Sequence, residues 1–404
     1  MGYARGMTRA ERRLAQEAKA VTRVEILRKA FEGKLTWMQA ATICGVTPRH
    51  MLRLREQYQA LGPPGLRDGR AGRRQPKRIP QQTLDEICRL KCDVYGDFSI
   101  RHFHQFATEK HGLKISYTMT RDLLQIRGLV EKAPGRGKYR RKRERRPMRG
   151  MMLHLDASTH TWIAGLPQWD LVVALDDADG RILYARFVEQ EGTTSTFEAL
   201  RHVLTRWGRF CELYTDRGSH FCRTSRAGEG PDEEQRTQLA RVLKTLGIGH
   251  ILARSPEARG RSERCFGTLQ GRLPQELRVA GITDYDGANE YLEKHFVPDF
   301  NRRFSVEPAQ PETAFVPLAG VDLELLLSRQ HERIVQKDNT VVLGKLHLQL
   351  ASTAERFHFV RCPVLVHEFL DGSLGVSYQG RLIARFTADG VAKTPKRRTK
   401  VKAA

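Results

Sequence analysis

The sequence predicts a multidomain protein with N-terminal all-α helix-turn-helix modules, a central α/β core and a small C-terminal β-barrel. Three observations predict this order. Apolar residues recur with a helical period up to about Val130, with a strand period from Met151, in mixed fashion from Thr194, and again as strands from Thr340. Between Ala133 and Gly150, Arg136, Lys138, Arg140, Arg141, Lys142, Arg143, Arg145, Arg146 and Arg149 face one acid, Glu144. Such a block is expected to meet solvent or phosphate rather than a core, so it marks a boundary. At 404 residues and 40% hydrophobic composition the chain has room for several cores.

Charge narrows the function classes. Lys and Arg number 69 against 46 Asp and Glu, a formal +23. A polyanionic partner accounts for this excess, because phosphate neutralisation releases counterions and supplies sequence-independent affinity for nucleic acid. A basic charge kept for solubility is the plainer alternative. The 7 cysteines are odd in number and scattered, which reads as a reduced, intracellular protein. Cys88 and Cys92, with His102 and His104 downstream, invite comparison with a zinc site, but close Cys-x-x-Cys spacing is missing and core thiols fit as well. No apolar run approaches the ~20 residues that span a bilayer, so no membrane partner is expected. The start MGYARGM has no signal-peptide apolar region, and Gly6 stands where myristoylation wants Ser or Thr.

In chain order, residues 8–62 read as a helix-turn-helix DNA-binding domain. Val24, Ile26, Leu27, Ala30 and Phe31 form one apolar stripe, and Ala40, Ala41 and Ile43 a second. Gly45 suits the turn, Thr47 caps the next helix and Pro48 opens it. That helix carries Arg49, His50, Arg53 and Arg55, with Met51, Leu52, Leu54 and Tyr58 for packing, and would lie in the major groove. A three-helix packing unit with a solvated basic face fits the same pattern. Residues 63–80 are a Gly-, Pro- and Arg-dense basic linker suited to a minor groove or phosphate track. Residues 81–132 form a second helical, winged-helix-like DNA-binding domain or a structural spacer, with Thr83, Ser99 and Ser116 as caps and Gly112 as a break. Residues 133–150 are the second basic linker.

From Met151, the segments MMLHLDAS, WDLVVALDD and RILYARFVE read as three strands, the last two joined by the turn DDADG. A helix from Thr194 to Trp207, the strand CELYTD, a polar insertion around residues 222–236, a helix from Glu234 to Leu246 and the strand IGHILA follow. Helical patterns then fill 256–277 and 284–304, so 151–306 has the element order of an RNase H-like fold. A helical stretch at Asp322–Arg329 leads to strands over 335–390, read as an SH3-sized barrel, and 391–404 is a basic tail.

Three acids in this core sit where phosphate chemistry wants them. Asp156 closes MMLHLD, Asp216 closes ELYTD, and Glu263 opens a helical pattern in SPEARGRSERCFGTL. Phosphodiester transfer needs an activated water or 3′-hydroxyl and charge neutralisation at the leaving oxygen, which two Mg²⁺ ions (or Mn²⁺) per site supply. Hard cations want oxygen ligands, and Mg²⁺ takes few protein carboxylates, leaving room for substrate phosphates. Asp156 would bridge both ions, Asp216 would bind one and Glu263 the other. Spacing alone does not single them out, because Asp170, Asp176, Asp177, Glu257 and Glu276 compete; Asp176 and Asp177 precede a turn and Glu257 follows Pro256 at a helix start.

The stretches LHLDAS, LYTDRGSHF and SPEARGRSERCFGTLQGRL resemble the integrase-core (DDE) transposases of bacterial insertion sequences, relatives of retroviral integrases, and most closely the ISNCY group. The likeness extends upstream through TWMQAATICGVTPRHMLRLREQYQALGPPGLRDGR and downstream to the β-rich end, covering most of the chain. It matches Asp156, Asp216 and Glu263 to the family's catalytic, metal-binding triad, with Gly218 in the turn and Pro256 and Gly260 framing the Glu. Two departures stand out: the stretch from Asp216 to Glu263 is longer than in retroviral integrases, and Arg217 stands where many relatives have Asn. The resemblance implies nicking of transposon ends and joining of the 3′-hydroxyl to target DNA by a homo-oligomer on double-stranded DNA. Arg49, Arg53, Arg55, Arg140, Arg141, Arg143, Arg217, Arg259 and Arg261 are the expected DNA contacts. A catalytically inactive DNA-binding regulator or architectural protein derived from a transposase, and a plain nuclease, are the alternatives.

Overall fold

The computed structural model describes residues 9–66, 79–132, 144–222, 237–253, 260–353 and 356–393. Arg140, Arg141, Arg143, most of the 63–80 linker and of the 222–236 insertion, Pro256, Glu257, Arg259 and the tail from residue 394 lie outside the described residues. By its internal contacts the chain divides into two units, Met1–Leu84 and Asp85–Ala404.

In the first unit, α1 (Arg9–Phe31), α2 (Trp37–Ile43) and α3 (Pro48–Leu61) surround a core of Ile26, Leu27, Ala30, Ala40, Ala41, Met51 and Leu54. Thr36 and Gln39 form a capping box that starts α2. Gly45, at φ +63°, makes the turn in a left-handed conformation that a side chain would strain. Thr47 caps α3 by accepting from the His50 amide, and Pro48 takes the first helical position. Pro63–Leu66, expected to begin a linker, is a 3₁₀ turn whose Leu66 completes the core.

The second unit begins within α4 (Gln81–Asp93) and continues with α5 (Ile100–Glu109) and α6 (Tyr117–Ile126). Ser99 and Ser116 cap α5 and α6 as expected. Thr83 does not cap: α4 begins at Gln81, directly after Pro80, and Thr83 falls within its first turn. The buried Lys91 ammonium donates to the carbonyls of Tyr95, Gly96 and Phe98, closing the α4–α5 loop. His102, one of the residues weighed for zinc, bonds Glu276 across 3.0 Å, and His104 faces Thr120.

The core sheet runs β3-β2-β1-β4-β5. β1 (Met152–His160), β2 (Trp169–Asp176) and β3 (Ile182–Val188) are antiparallel, while β4 (Glu212–Thr215) and β5 (Gly249–Leu252) continue in parallel. This is the sheet that three strands followed by alternating helices and strands imply. Alternation along β1 sends Leu153 and Leu155 to one face, where α7 (Thr193–Arg206) and α8 (Gln238–Leu246) pack. On the other face Val173 and Leu175 of β2 meet α9 (Gly260–Gln270), α10 (Leu273–Val279), α11 (Tyr285–Tyr291) and α12 (Val297–Phe304). A π turn, Leu292–Phe296, joins α11 to α12.

After α13 (Leu323–Leu326) come β6 (Arg329–Ile334), β7 (Thr340–Leu343), β8 (Leu346–Gln349), β9 (Pro363–Glu368), β10 (Leu374–Tyr378) and β11 (Arg381–Phe386). The expected closed barrel is not found among the described residues. The strands form an open sheet, β11-β10-β9-β6, and a separate β7-β8 ribbon, which share one core including Val341, Leu348, Val366 and Val376. Four short strands do not supply the strand number and shear that closure requires, and the ribbon covers the apolar face instead.

Candidate active site

Asp156 lies inside β1 rather than at its end, and Asp216 is the first residue after β4. The parallel ladder pairs Met152 with Glu212, Leu153 with Leu213 and His154 with Tyr214. Continued by one more pleat, the same register sets Asp156 beside Asp216 on strands about 4.8 Å apart. Both carboxylates share parity with His154 and Tyr214, whose rings meet at 5.0 Å, so both belong to the face that α9 covers.

Local structure holds each acid. Asp156 is 8% exposed, and its Oδ1 accepts from the Ala157 amide at 3.0 Å. Burial together with the Asp156 charge pushes the Cys265 thiol of α9 up to about 12, and α9 packs against β1. Asp216 Oδ1 accepts from the Gly218 amide at 2.8 Å. A Cβ at position 218 would stand 3.1 Å from that oxygen, so a larger residue there would crowd the carboxylate. Behind it, Thr215 Oγ1 and His250 Nε2 are 2.9 Å apart, and burial lowers His250 to about 4, leaving a neutral imidazole.

Glu263 sits exposed in the first turn of α9, while Ser262, Cys265, Phe266 and Leu269 turn inward. Gln270, two turns further on nearly the same helix stripe, donates to Ser158 Oγ at 2.9 Å. The stripe bearing Glu263 therefore runs along the β1 row of His154, Asp156 and Ser158. Among the described residues no three His, Cys, Asp or Glu side chains stand close enough to hold one ion. The register extended from the β1–β4 ladder aligns Asp156, within β1, with Asp216, just after β4, while Glu263 lies exposed on the helix packed on that face and does not close on them.

The turn acids read above as ordinary turn residues are instead a buried anchor. Asp177 is fully buried: its Oδ1 is 2.8 Å from His154 Nε2 and 3.1 Å from Arg261 Nε, and its Oδ2 accepts from the Arg146 amide at 2.7 Å. Burial would raise this carboxyl, but His154, the Arg146 amide and the Arg261 guanidinium bring it down to about 2. Asp176 accepts from the Gly150 and Ala178 amides, yet burial pushes it up to about 6. Asp179 pairs with Arg149 at 2.8 Å. Arg145 donates to the Asp177 carbonyl, and Arg146 pairs with Glu212 at 2.6 Å. The end of the basic block thus packs onto the core, contrary to the expectation that all of it meets solvent or phosphate, because each arginine finds a carboxylate or carbonyl there. An Asp-rich turn some thirty residues beyond an Arg-rich block was the available signal.

The expected DNA contacts divide similarly. Arg49 and Arg53 are exposed on α3, whereas Arg55 stacks 4.8 Å above the Trp37 ring. Arg217 is exposed beside Asp216, and Arg261 is taken up by Asp177.

Residues 22–77 match the family described as helix-turn-helix domain. The chain is 30% identical over 371 residues to the transposase-family protein y4bF of Sinorhizobium fredii, covering 91% of this chain and 80% of that one. It is 24% identical over 385 residues to the transposase for insertion sequence IS1202 of Streptococcus pneumoniae, covering 86% of this chain and 82% of that one. Solved structures resemble it loosely. The HTLV-2 integrase catalytic core domain in complex with magnesium has 17% identity and a TM-score of 0.27, over 35% of this chain and 83% of that one. The simian T-cell lymphotropic virus intasome in complex with PP2A regulatory subunit B56 gamma has 14% identity and a TM-score of 0.32, over 74% of this chain and 100% of that one.

Proposed function

The chain belongs to the transposases of insertion sequences, and from that membership we propose that it nicks transposon ends and joins the freed 3′-hydroxyl to target DNA. What supports this reading is the β1–β4 parallel ladder, whose register, carried two residues past His154 and Tyr214, aligns Asp156 with Asp216. Two adjacent carboxylates suit a hard divalent cation, since Mg²⁺ needs only one or two protein carboxylates beside substrate phosphates. Asp156 and Asp216 would hold Mg²⁺ or Mn²⁺, and Glu263 would complete a two-ion site. Bound there, such ions lower the pKa of an attacking water or hydroxyl and neutralise charge at phosphorus.

The protein's own groups prepare the site. The Ala157 amide fixes Asp156 Oδ1 and the Gly218 amide fixes Asp216 Oδ1, so each carboxylate is held by its own local backbone. Glu263 stands in the first turn of α9, on the stripe that reaches Ser158 of β1 through Gln270, so a small approach of that turn would bring a third carboxylate towards a cation held by Asp156 and Asp216. Arg217 is exposed next to Asp216 and would pair with a neighbouring phosphate oxygen. The exposed Arg49 and Arg53 of α3 would read the transposon end in the major groove, within a homo-oligomer that pairs two ends.

The test is an assay of purified protein with duplex end DNA and Mg²⁺. Nicked and joined products are expected, both lost in Asp156→Asn while duplex binding without Mg²⁺ persists. A wild-type protein that yields neither product, or an Asp156→Asn protein that yields both, overturns the reading; nicking without joining reduces it to a nuclease.

A further inference from the structure

On the sheet face opposite Asp156, β3 and α7 enclose a cleft of about 610 Å³ lined by Tyr184, Arg186, Glu198, Arg201, His202, Thr205 and Arg206. Three arginines against one glutamate give it a positive balance. Arg186 and Glu198 stand 4.0 Å apart at its rim, and Arg186, Arg201 and Arg206 are exposed. Beyond the Arg186–Glu198 pair, Arg201 and Arg206 of the helix line the same cleft as Arg186 of the strand.

Tyr184 supplies the second observation. Its side chain is buried, the residue being 9% exposed, and its ring lies 5.3 Å from that of His202. Its hydroxyl is buried without a hydrogen-bond partner. Burial raises the phenol well above its ordinary range, with Glu198 adding to the rise and Arg186 and Arg201 opposing it, so the group keeps its proton as a donor. A buried donor left unmatched at the floor of a cationic cleft lacks an acceptor, and native proteins match nearly all such groups. An acceptor that also answers three arginines carries negative oxygens.

We propose that this cleft binds a phosphate group, with Tyr184 donating to one oxygen and Arg186, Arg201 and Arg206 pairing with the others. Arginine's planar fork favours phosphate over a simple halide. Because the sheet separates the cleft from the Asp156 row, the phosphate held here is not the scissile one. It belongs to a second stretch of DNA backbone or to a small soluble phosphate. The proposal goes beyond the catalytic reading and does not depend on it.

The experiment measures affinity of the full-length protein for a random-sequence duplex against salt, in EDTA so that cleavage plays no part, alongside calorimetric titration with inorganic phosphate. Arg186→Ala/Arg201→Ala, both exposed positions, should weaken duplex binding about tenfold and flatten the logarithmic salt slope by about 1 to 2. Tyr184→Phe, which keeps the ring packing, should weaken it about threefold. Unchanged duplex binding with lost inorganic-phosphate binding assigns the cleft to a soluble phosphate and supports the proposal. Unchanged binding of both probes in both variants overturns it.

Discussion

Arg261 Nε lies 3.1 Å from Asp177 Oδ1, and His154 Nε2 lies 2.8 Å from the same oxygen. One buried carboxylate thereby ties α9, two residues ahead of Glu263, to β1, two residues ahead of Asp156. The strand that bears Asp156 and the helix that bears Glu263 are braced through this one buried residue.

Asp177→Asn should therefore damage both stability and function. Removing the charge leaves Arg261 buried without its anion, which costs about 3–5 kcal/mol. Thermal unfolding should show a lowered Tm, and nicking should fall even at temperatures where the variant is folded. A variant with wild-type Tm and activity would show that the brace is dispensable.

Asp176 sets a pH dependence. Burial holds its carboxyl at about 6 in the folded protein, against about 4 in an unfolded chain. The folded state binds this proton more tightly, so the stability it contributes is full below about pH 4 and is lost as pH rises through about 6. Asp176→Asn should thus gain on the wild type by up to about 3 kcal/mol between pH 4 and pH 7. Parallel Tm profiles for the two proteins would refute this. Asp177, held at about 2, acts in the opposite sense: its contribution is present above about pH 4 and is lost as pH falls through about 2.

Glu263→Gln should lose nicking and joining by a factor on the order of 10³ or more, with no change in Tm, because the side chain is exposed. Glu276→Gln should do the reverse. Glu276 is buried against His102 and Arg272, so its loss should lower Tm and leave the chemistry of the folded protein intact. Exchange of these two phenotypes would move the third carboxylate to Glu276.

On α3, Arg49→Ala and Arg53→Ala should each relax the preference for end DNA over scrambled DNA, by about 1–3 kcal/mol if they contact bases. Arg55→Ala should chiefly lower stability, because Arg55 covers the Trp37 ring. Mobility shifts with both duplexes, beside thermal melts, separate the two effects.

Much of the fold was legible because local chemistry decides it. Thr47, Ser99 and Ser116 cap where a hydroxyl before an apolar stripe should, and the alternation of MMLHLDAS and WDLVVALDD gives β1 and β2. Thr83 misled because Pro80 had already opened the helix. β6 went unassigned, with only Arg329 given to the helical stretch before it, because RQHERI is polar; as an edge strand paired with β9, it needs little apolar pattern. Barrel closure depends on strand number and shear, which short strands in series do not encode. At the site, the resemblance and strand patterns pointed to Asp156 and Asp216. The Asp177 anchor stayed hidden because its partners, His154, Arg146 and Arg261, are distant in sequence and look like members of a polar surface until the chain folds.

The side-by-side register of β1 and β4 also determines where the chain can change length. A single residue added or lost within Met152–Asp156 or Glu212–Asp216 would turn one aspartate to the α7 face and separate the pair. Residues added between His160 and Trp169 leave that pairing untouched. Tags, reporters and natural insertions are therefore compatible with an intact carboxylate pair at that connection, and a one-residue indel inside either strand is not.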